Sequence, residues 1–128
     1  MQLLLDTHIA LWAIVDDPRL PVIAKTLISD PNNHIWVSTV SVWGIAIKHR
    51  LARGDMPVSS EEALRYFKES GYKILPIQPE HAILTETLPA IHQDPFDRLL
   101  VAQALHEPMH LITHDDLLVG YGDMIMRV

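Results

Sequence analysis

The chain has 128 residues, of which 48% are hydrophobic and 20% charged, so it is long enough for one compact domain and too apolar to be disordered. Its formal net charge of −6 argues against a nucleic-acid binder that works by bulk attraction, so any contact with nucleic acid requires a local basic patch or a bound cation. The chain has no cysteine, which excludes disulfides, thiolate catalysis and cysteine-based zinc sites.

The sequence contains no signal for a membrane or for secretion. No apolar run approaches the roughly 20 residues that span a bilayer. Asp6 interrupts the apolar N-terminal stretch almost at once, which is not typical of a signal peptide. We therefore expect a cytoplasmic protein that folds as a single domain over residues 1–128 and has no membrane segment.

In the first half of the chain, short apolar runs alternate with helix-like segments. The predicted elements are a strand at Gln2–Leu5, a helix through Leu11 and Trp12, a helix at Val22–Ser29, a strand at His34–Val37 and a helix capped by Ser38 or Thr39. In the last of these helices, apolar residues recur at steps of three and four, at Val40, Trp43, Ile47 and Leu51. Gly54 and Pro57 are predicted to end it.

The second half continues the alternation. The predicted elements are a helix opened by Ser59 or Ser60, a strand at Tyr72–Ile77, a helix at Pro79–Leu88, a helix from Asp94-Pro95 to about His106, a strand at Met109–Thr113, a helical turn at Asp115–Val119 and an edge strand at Met124–Val128. Strands separated by helices need crossover connections, so we expect an α/β fold with a mainly parallel sheet flanked by helices. Its functional site should lie beyond the carboxyl ends of the strands.

Three acidic residues from distant parts of the sequence are placed to meet at that edge. Asp6 directly follows the first strand, Asp115 lies just beyond Leu111-Ile112, and Asp97 lies in the first turn of the helix that leads to that strand. Clustered carboxylates repel one another, and a hard divalent cation with oxygen ligands relieves the repulsion. The pattern therefore predicts a Mg²⁺ or Mn²⁺ site formed by Asp6, Asp97 and Asp115.

Each acid also has a purely structural interpretation, and these alternatives stay open at the level of sequence. Asp6 is placed to cap the first helix, and Asp94 is placed as the N-cap of a helix with Asp97 at its third position. Asp115 and Asp116 fit a helix cap and its first-turn acid. The joint placement of the three acids favours a metal site more than any one of them does.

A basic cluster of Lys48, Arg50 and Arg53 follows Gly44. Lys48 is four residues beyond Gly44, so both are predicted to lie on one helical face, where Lys48 would contact a nucleic-acid phosphate or steady the acidic cluster. The alternative is a solvated helix end, where cations suit the helix dipole.

Other polar and aromatic residues receive structural interpretations. Arg98 is placed to bind phosphate or to form an ion pair with Asp94, and we expect the ion pair. His8 and His114 lie near the acids, where we expect peripheral hydrogen bonds in preference to contacts with a substrate. No histidine pattern matches a zinc signature. Three tryptophans occupy core-like positions, where base stacking is not expected: Trp12, Trp36 and Trp43.

Four segments, in family order and spanning nearly the whole chain, resemble the sequence blocks of PIN-domain ribonucleases of the VapC toxin type. They are Leu3-Leu4-Leu5-Asp6-Thr7-His8, Val37-Ser38-Thr39-Val40-Ser41-Val42-Trp43-Gly44-Ile45-Ala46-Ile47-Lys48, His92-Gln93-Asp94-Pro95-Phe96-Asp97-Arg98-Leu99-Leu100-Val101-Ala102-Gln103-Ala104 and Leu111-Ile112-Thr113-His114-Asp115.

The resemblance implies a PIN-like three-layer sandwich and metal-dependent endonucleolytic cleavage of RNA. Its metal-binding and catalytic residues would be Asp6, Asp97 and Asp115. Substrate contacts are expected at Lys48, Arg50 and Thr113. A homodimer and neutralisation by a VapB-type antitoxin are also implied by the family.

The chain departs from the family pattern at Gly44, where the family places Glu directly after the Trp. A Gly inside a helix costs about 1 kcal/mol relative to Ala and so needs a reason. Three explanations are open: helix packing against a close backbone, a natural loss of activity, and a detoxifying change, because one base converts a Glu codon into a Gly codon.

The sequence therefore carries two main functional hypotheses. The first is a ribonuclease toxin weakened or inactivated by Gly44, and the second is a catalytically dead PIN-fold protein that still pairs with an antitoxin. A phosphoryl-transfer or receiver-type domain that uses Asp6 is disfavoured, because the second Asp of an Asp-x-Asp phosphatase motif is missing.

Overall fold

The computed structural model describes residues 1–52 and 56–128, which form one five-stranded sheet with helices on both faces. The strands are β1 (Gln2–Leu5), β2 (His34–Ser38), β3 (Lys73–Leu75), β4 (His110–Thr113) and β5 (Ile125–Arg127). The α-helices are α1 (Thr7–Ile14), α2 (Val22–Ser29), α3 (Thr39–Arg50), α4 (Ser60–Glu69), α5 (Pro79–Leu84) and α6 (Pro95–His106). Two 3₁₀-helices cover Thr85–Thr87 and Asp116–Tyr121.

The strand order is β3-β2-β1-β4-β5, and all four neighbouring pairs are parallel. Helical crossovers connect the strands, as the alternating pattern predicted. In the centre of the sheet Leu5 pairs with Val37 on one side and with Ile112 on the other. This register aligns the carboxyl ends of β1, β2 and β4, so the residues that follow them lie at one edge. The predicted α/β sandwich with a parallel sheet is confirmed.

The central strand β1 is buried on both faces, which is usual for parallel sheets. Leu3 and Leu5 pack into one hydrophobic cluster, which includes Phe67 of α4. Leu4 points to the opposite face, where it packs in a second cluster with Leu100 of α6. All three leucines are completely buried. The two clusters lie between the sheet and the helices on either face, so the fold has three layers with the sheet in the middle.

Side-chain caps begin the helices that surround the carboxyl edge. Ser38 accepts a hydrogen bond from the backbone N–H of Val40 at 3.0 Å and so caps α3. Asp94 accepts from the N–H of Phe96 at 2.8 Å and caps α6. Ser59 and Glu62 form a reciprocal capping box at the start of α4. These caps agree with the helix starts that the sequence predicted.

Several predicted details differ from the structure. The third strand is shorter than Tyr72–Ile77, and the helix that begins at Pro79 ends at Leu84 before a 3₁₀ turn. Arg53 and Gly54, which the sequence placed in a basic cluster and at a helix end, lie outside the described residues. Among the described helices, none is long and apolar enough to cross a membrane.

The buried face of α3 differs from the predicted stripe. Trp43 is 51% exposed, and Leu51, just past the helix, is 53% exposed. The buried residues of the helix are Val40, Ser41, Gly44 and Ile45. The helix therefore packs through a face that includes small side chains, which an argument from apolar spacing does not identify.

Removal of the Leu4 side chain should test the role of the central strand. Leu4→Ala leaves a cavity at a completely buried position, so we expect the free energy of unfolding to fall by about 2–5 kcal/mol. Urea denaturation monitored by circular dichroism measures the change. Ile83→Ala is the control, because Ile83 is 67% exposed and its loss should change stability little. Equal effects of the two substitutions would contradict this description of the core.

Candidate metal centre at the carboxyl edge of the sheet

Asp6 is held rigidly at the end of β1. Its backbone N–H donates to the carbonyl oxygen of Ile112 at 2.9 Å, which extends the pairing with β4 by one residue. One carboxylate oxygen accepts from the N–H of Thr7 and the other accepts from the hydroxyl of Thr113, both at 2.7 Å. The capping role and a metal-binding role are compatible, because each oxygen keeps a second lone pair.

Thr113 joins two of the predicted acids. Its hydroxyl donates to Asp6 and accepts from the backbone N–H of Asp115 at 3.0 Å. The side chain is completely buried. In the structure Thr113 therefore joins Asp6 to the start of the Asp115 loop, and its predicted contact with substrate stays a prediction.

Asp97 and Asp115 approach each other through a histidine that the sequence interpretation did not single out. The Nε2 atom of His92 lies 3.3 Å from Oδ2 of Asp97 and 3.1 Å from Oδ2 of Asp115. One potential ligand atom from each of these three residues lies within 4.8 Å of the others. Among the described residues Asp6 is not part of this tight group, but it lines the same cavity of about 410 Å³ with Asp97 and Asp115.

The hydrogen bonds of His92 define the role of each ring nitrogen. The backbone N–H of Asp94 points at Nδ1 at 3.1 Å, so Nδ1 is an acceptor. The ring proton of the neutral imidazole is therefore on Nε2, where it donates to the two carboxylates. His92 acts in this structure as a donor that bridges Asp97 and Asp115. In the sequence, the only signal for this role was the position of His92, two residues before the helix cap Asp94.

Arg98 fixes the loop that carries His92, and the predicted ion pair with Asp94 is wrong. Its guanidinium donates to the carbonyl oxygens of Thr85 at 2.8 Å and Pro89 at 2.9 Å, and to the hydroxyl of Tyr121 at 3.1 Å. The same hydroxyl accepts from the backbone N–H of His92 at 2.9 Å. A guanidinium with five donors suits this task, because an irregular loop exposes several carbonyl groups.

The electrostatics of Asp97 show how crowded the acids are. Burial, followed by the charges of Asp6 and Asp94, raises the pKa of Asp97 to about 7, although His92 opposes the shift. Protonation of Asp97 or a bound cation removes the free-energy cost of this crowded negative charge. Asp6, Asp97 and Asp115 offer carboxylate oxygens at the cavity, and Mg²⁺ and Mn²⁺ prefer oxygen ligands. The residues present therefore fit a hard divalent cation.

Gly44 lies beside the acids, buried in the middle of α3, and lines the same cavity. A Cβ atom added at Gly44 would lie 3.2 Å from Cδ2 of Phe96, at the start of α6. This distance is tight, so the close approach of the Phe96 ring is a physical reason for a glycine here. The close neighbour is a side chain, whereas the packing explanation from the sequence invoked backbone, and the other two explanations stay open.

The predicted basic residues separate into two groups. Lys48 lines the acidic cavity together with Gly44, as their spacing on α3 predicted. Arg50 is exposed at the last position of α3 and lines neither this cavity nor the larger one beside it. The phosphate contacts of both residues stay predictions, and of the two only Lys48 lies at the acidic cavity.

Other predicted residues lie around the rim. His8 and His114 line the acidic cavity, and Nδ1 of His114 lies 2.7 Å from the carbonyl oxygen of Val128. Asp116 forms an ion pair with Arg127 at 2.8 Å and is largely exposed.

The tryptophans were all predicted in the core, and this is wrong for the half-exposed Trp43, whose ring contacts Phe96. Trp12 is partly buried and lines the acidic cavity. Trp36 is also partly buried, and its indole N–H donates to Gln2 at 2.7 Å.

A second cluster of potential ligands comprises His81, His106 and Glu107. His81 is completely buried, and its Nδ1 accepts from the backbone N–H of Gln78 at 2.9 Å. The Nε2 proton therefore donates to Glu107 at 2.6 Å, and no ring nitrogen is left for a metal. We interpret this cluster as structural.

Comparisons with known proteins agree with the fold. The PIN domain family matches residues 3–121 of the chain. No curated protein matches it. A chain in the crystal structure of VapBC2 from Rickettsia felis bound to a DNA fragment from their promoter is similar, with a TM-score of 0.70 and 16% sequence identity. The similarity covers 99% of this chain and 98% of that one. At this identity the likeness is one of fold.

Loss of the Arg98 anchor should destabilise the protein. Arg98→Ala leaves several loop carbonyls without their donor, so we expect the free energy of unfolding to fall by about 2–3 kcal/mol. Urea denaturation gives the value. Arg65→Ala is the matched control, since Arg65 is exposed and its ion pair with Glu69 is long, at 3.9 Å. If both variants are as stable as the parent protein, Arg98 does not anchor the loop.

Proposed function

The chain belongs to the PIN-domain family, and on that premise we propose that it is a metal-dependent endoribonuclease of the VapC toxin type. Asp6, Asp97 and Asp115 hold the divalent cation in this proposal. The observation that carries it is the convergence of these acids, from three distant parts of the sequence, on one cavity. The pKa of Asp97, raised to about 7, supports it, because a purely structural acid would not be expected among so many like charges.

The residues of the chain have distinct tasks. A bound Mg²⁺ or Mn²⁺ would polarise a phosphoryl oxygen and lower the pKa of a water molecule. Asp6, oriented by Thr7 and Thr113, presents its carboxylate in a fixed direction. Lys48, on the wall of the cavity, attracts the phosphate of the RNA backbone. A local cation of this kind is required because the whole chain carries a net charge of −6.

The proposed partners follow from the same premise. We expect an RNA substrate, a VapB-type antitoxin and a homodimer in the cytoplasm. The fold likeness to a chain of the VapBC2 structure supports the pairing with an antitoxin.

Gly44 makes the activity of this chain weak in our proposal. The family pattern places a Glu there, and Gly has no carboxylate to hold a cation or to position water. The same observation favours a second candidate function: a PIN-fold protein without catalysis that still binds an antitoxin. Cleavage of RNA by the unmodified chain distinguishes the two.

Cation binding should depend on the three aspartates. We expect Mn²⁺ to bind the unmodified protein, and Asp97→Asn to weaken binding by more than about tenfold, the lower end of what even an outer-sphere partner contributes. Electron paramagnetic resonance of free Mn²⁺ measures the affinity. Asp123→Asn is the control, because it removes an exposed acid and so an equal charge. If Mn²⁺ binds both variants equally, the proposed ligand set is wrong.

Restoration of the missing carboxylate should increase activity. We expect Gly44→Glu to raise Mn²⁺-dependent cleavage of RNA by about 10²–10⁴-fold, the range for a positioned acid–base group. Expression of the variant should arrest bacterial growth. Cleavage of a fluorescent RNA gives the rate.

One control separates the effect of the carboxylate from the effect of the volume of the new side chain. Gly44→Gln introduces a side chain of the same size that displaces Phe96 in the same way but adds no charge. Its activity should stay at the level of the unmodified protein. If Gly44→Glu and Gly44→Gln cleave equally slowly while both are folded, the idea that Gly44 alone limits activity fails.

A further inference from the structure

A second cavity, of about 630 Å³, adjoins the acidic one and is lined by residues of α1, α3 and the start of α6. Its size falls within the roughly 300–1,000 Å³ of small-molecule sites. The apolar part of its wall consists of Leu11, Trp12, Val15, Ile47, Met56 and Phe96. Such a wall suits a flat, weakly polar ligand.

The two cavities share a wall. Trp12, Gly44, Lys48 and Phe96 line both of them. Gly44 has no side chain, so α3 projects no side chain at this position into the wall that the two cavities share. A ligand that reaches into the larger cavity therefore remains beside the acids, with Lys48 between the two parts of the site.

We propose that the larger cavity binds a nucleobase of the RNA strand whose phosphate lies in the acidic cavity. This inference rests on the proposed function. Base stacking was not expected of Trp12 from the sequence, but its ring and that of Phe96 line this cavity and provide aromatic surfaces for stacking. His8, whose ring centre lies 5.9 Å from that of Trp12, provides hydrogen-bonding nitrogens for a base edge. Stacking tolerates any base, since every base has a π-face.

The position of Lys48 favours a nucleotide over an apolar peptide. Lys48 lines both cavities and so lies beside the path of a phosphate that follows a base from the larger cavity to the acidic one. Arg19 also lines both cavities, but its charge is balanced by an ion pair with Asp17 at 2.8 Å, and Asp94 lines the larger cavity as well. The preference for a nucleotide therefore rests on Lys48, a cation that a nucleotide requires and an apolar peptide does not.

Nuclear magnetic resonance of the tryptophan indole N–H groups tests the inference. The probes are the four ribonucleoside 5′-monophosphates, added to the full chain in EDTA so that neither cation binding nor cleavage affects the result. We expect each to shift the Trp12 signal more than inorganic phosphate does. The Trp36 signal serves as internal reference and should not move, because Trp36 lines neither cavity.

A cavity-filling substitution provides the second arm. Ile47→Trp places a ring in the cavity and should weaken nucleotide binding by about fivefold or more, the equivalent of one lost base–aromatic stack. Val15→Trp serves the same purpose at a residue that is 37% exposed, should Ile47→Trp not fold. Ile83→Trp, at a 67% exposed position outside the cavity, is the matched control and should leave binding unchanged.

Three results would overturn the inference. One is that inorganic phosphate shifts Trp12 as much as the nucleotides do, and another is that the cavity-filling variants bind nucleotides as well as Ile83→Trp does. The third is that a blocked Leu-Phe-Leu peptide binds the cavity while no nucleotide does, which would assign it to a protein partner. None of these results depends on Mn²⁺ binding, so failure here is distinct from failure of the nuclease proposal.

Discussion

Repulsion among carboxylates at the carboxyl edge of the parallel sheet is the constraint on which the rest of the site depends. The register of β1 and β4 brings Asp6 to the edge where Asp115 follows, and the start of α6 adds Asp97 to the same cavity. Burial and the neighbouring charges raise the pKa of Asp97 to about 7. A positive charge stabilises a site in which acids lie this close together, and a divalent cation provides the strongest such charge.

The surrounding residues keep the acids together in spite of this repulsion. Thr113 joins Asp6 to the backbone of Asp115, and His92 bridges the carboxylates of Asp97 and Asp115. Arg98 holds the loop that presents His92. These contacts connect β1, β4 and α6, so the geometry of the site depends on the packing of the whole domain.

The sequence predicted those features that follow from local pattern. Asp6 and Asp115 were expected at one edge because each comes after an apolar run, and parallel strands end on the same side. The roles of His92 and Arg98 were not predicted, because they depend on how an irregular loop folds back on α6. The exposure of Trp43 was also missed, since regular spacing on a helix does not identify which face of α3 meets the sheet.

Diffraction at the manganese absorption edge, from crystals of the unmodified chain grown with Mn²⁺, tests the central claim most directly. A metal centre of the kind described here predicts an anomalous peak in the acidic cavity, within ligand distance of oxygen atoms of Asp6, Asp97 and Asp115. A map without a peak in this cavity, or with Mn²⁺ bound only at acids elsewhere on the surface, would contradict it.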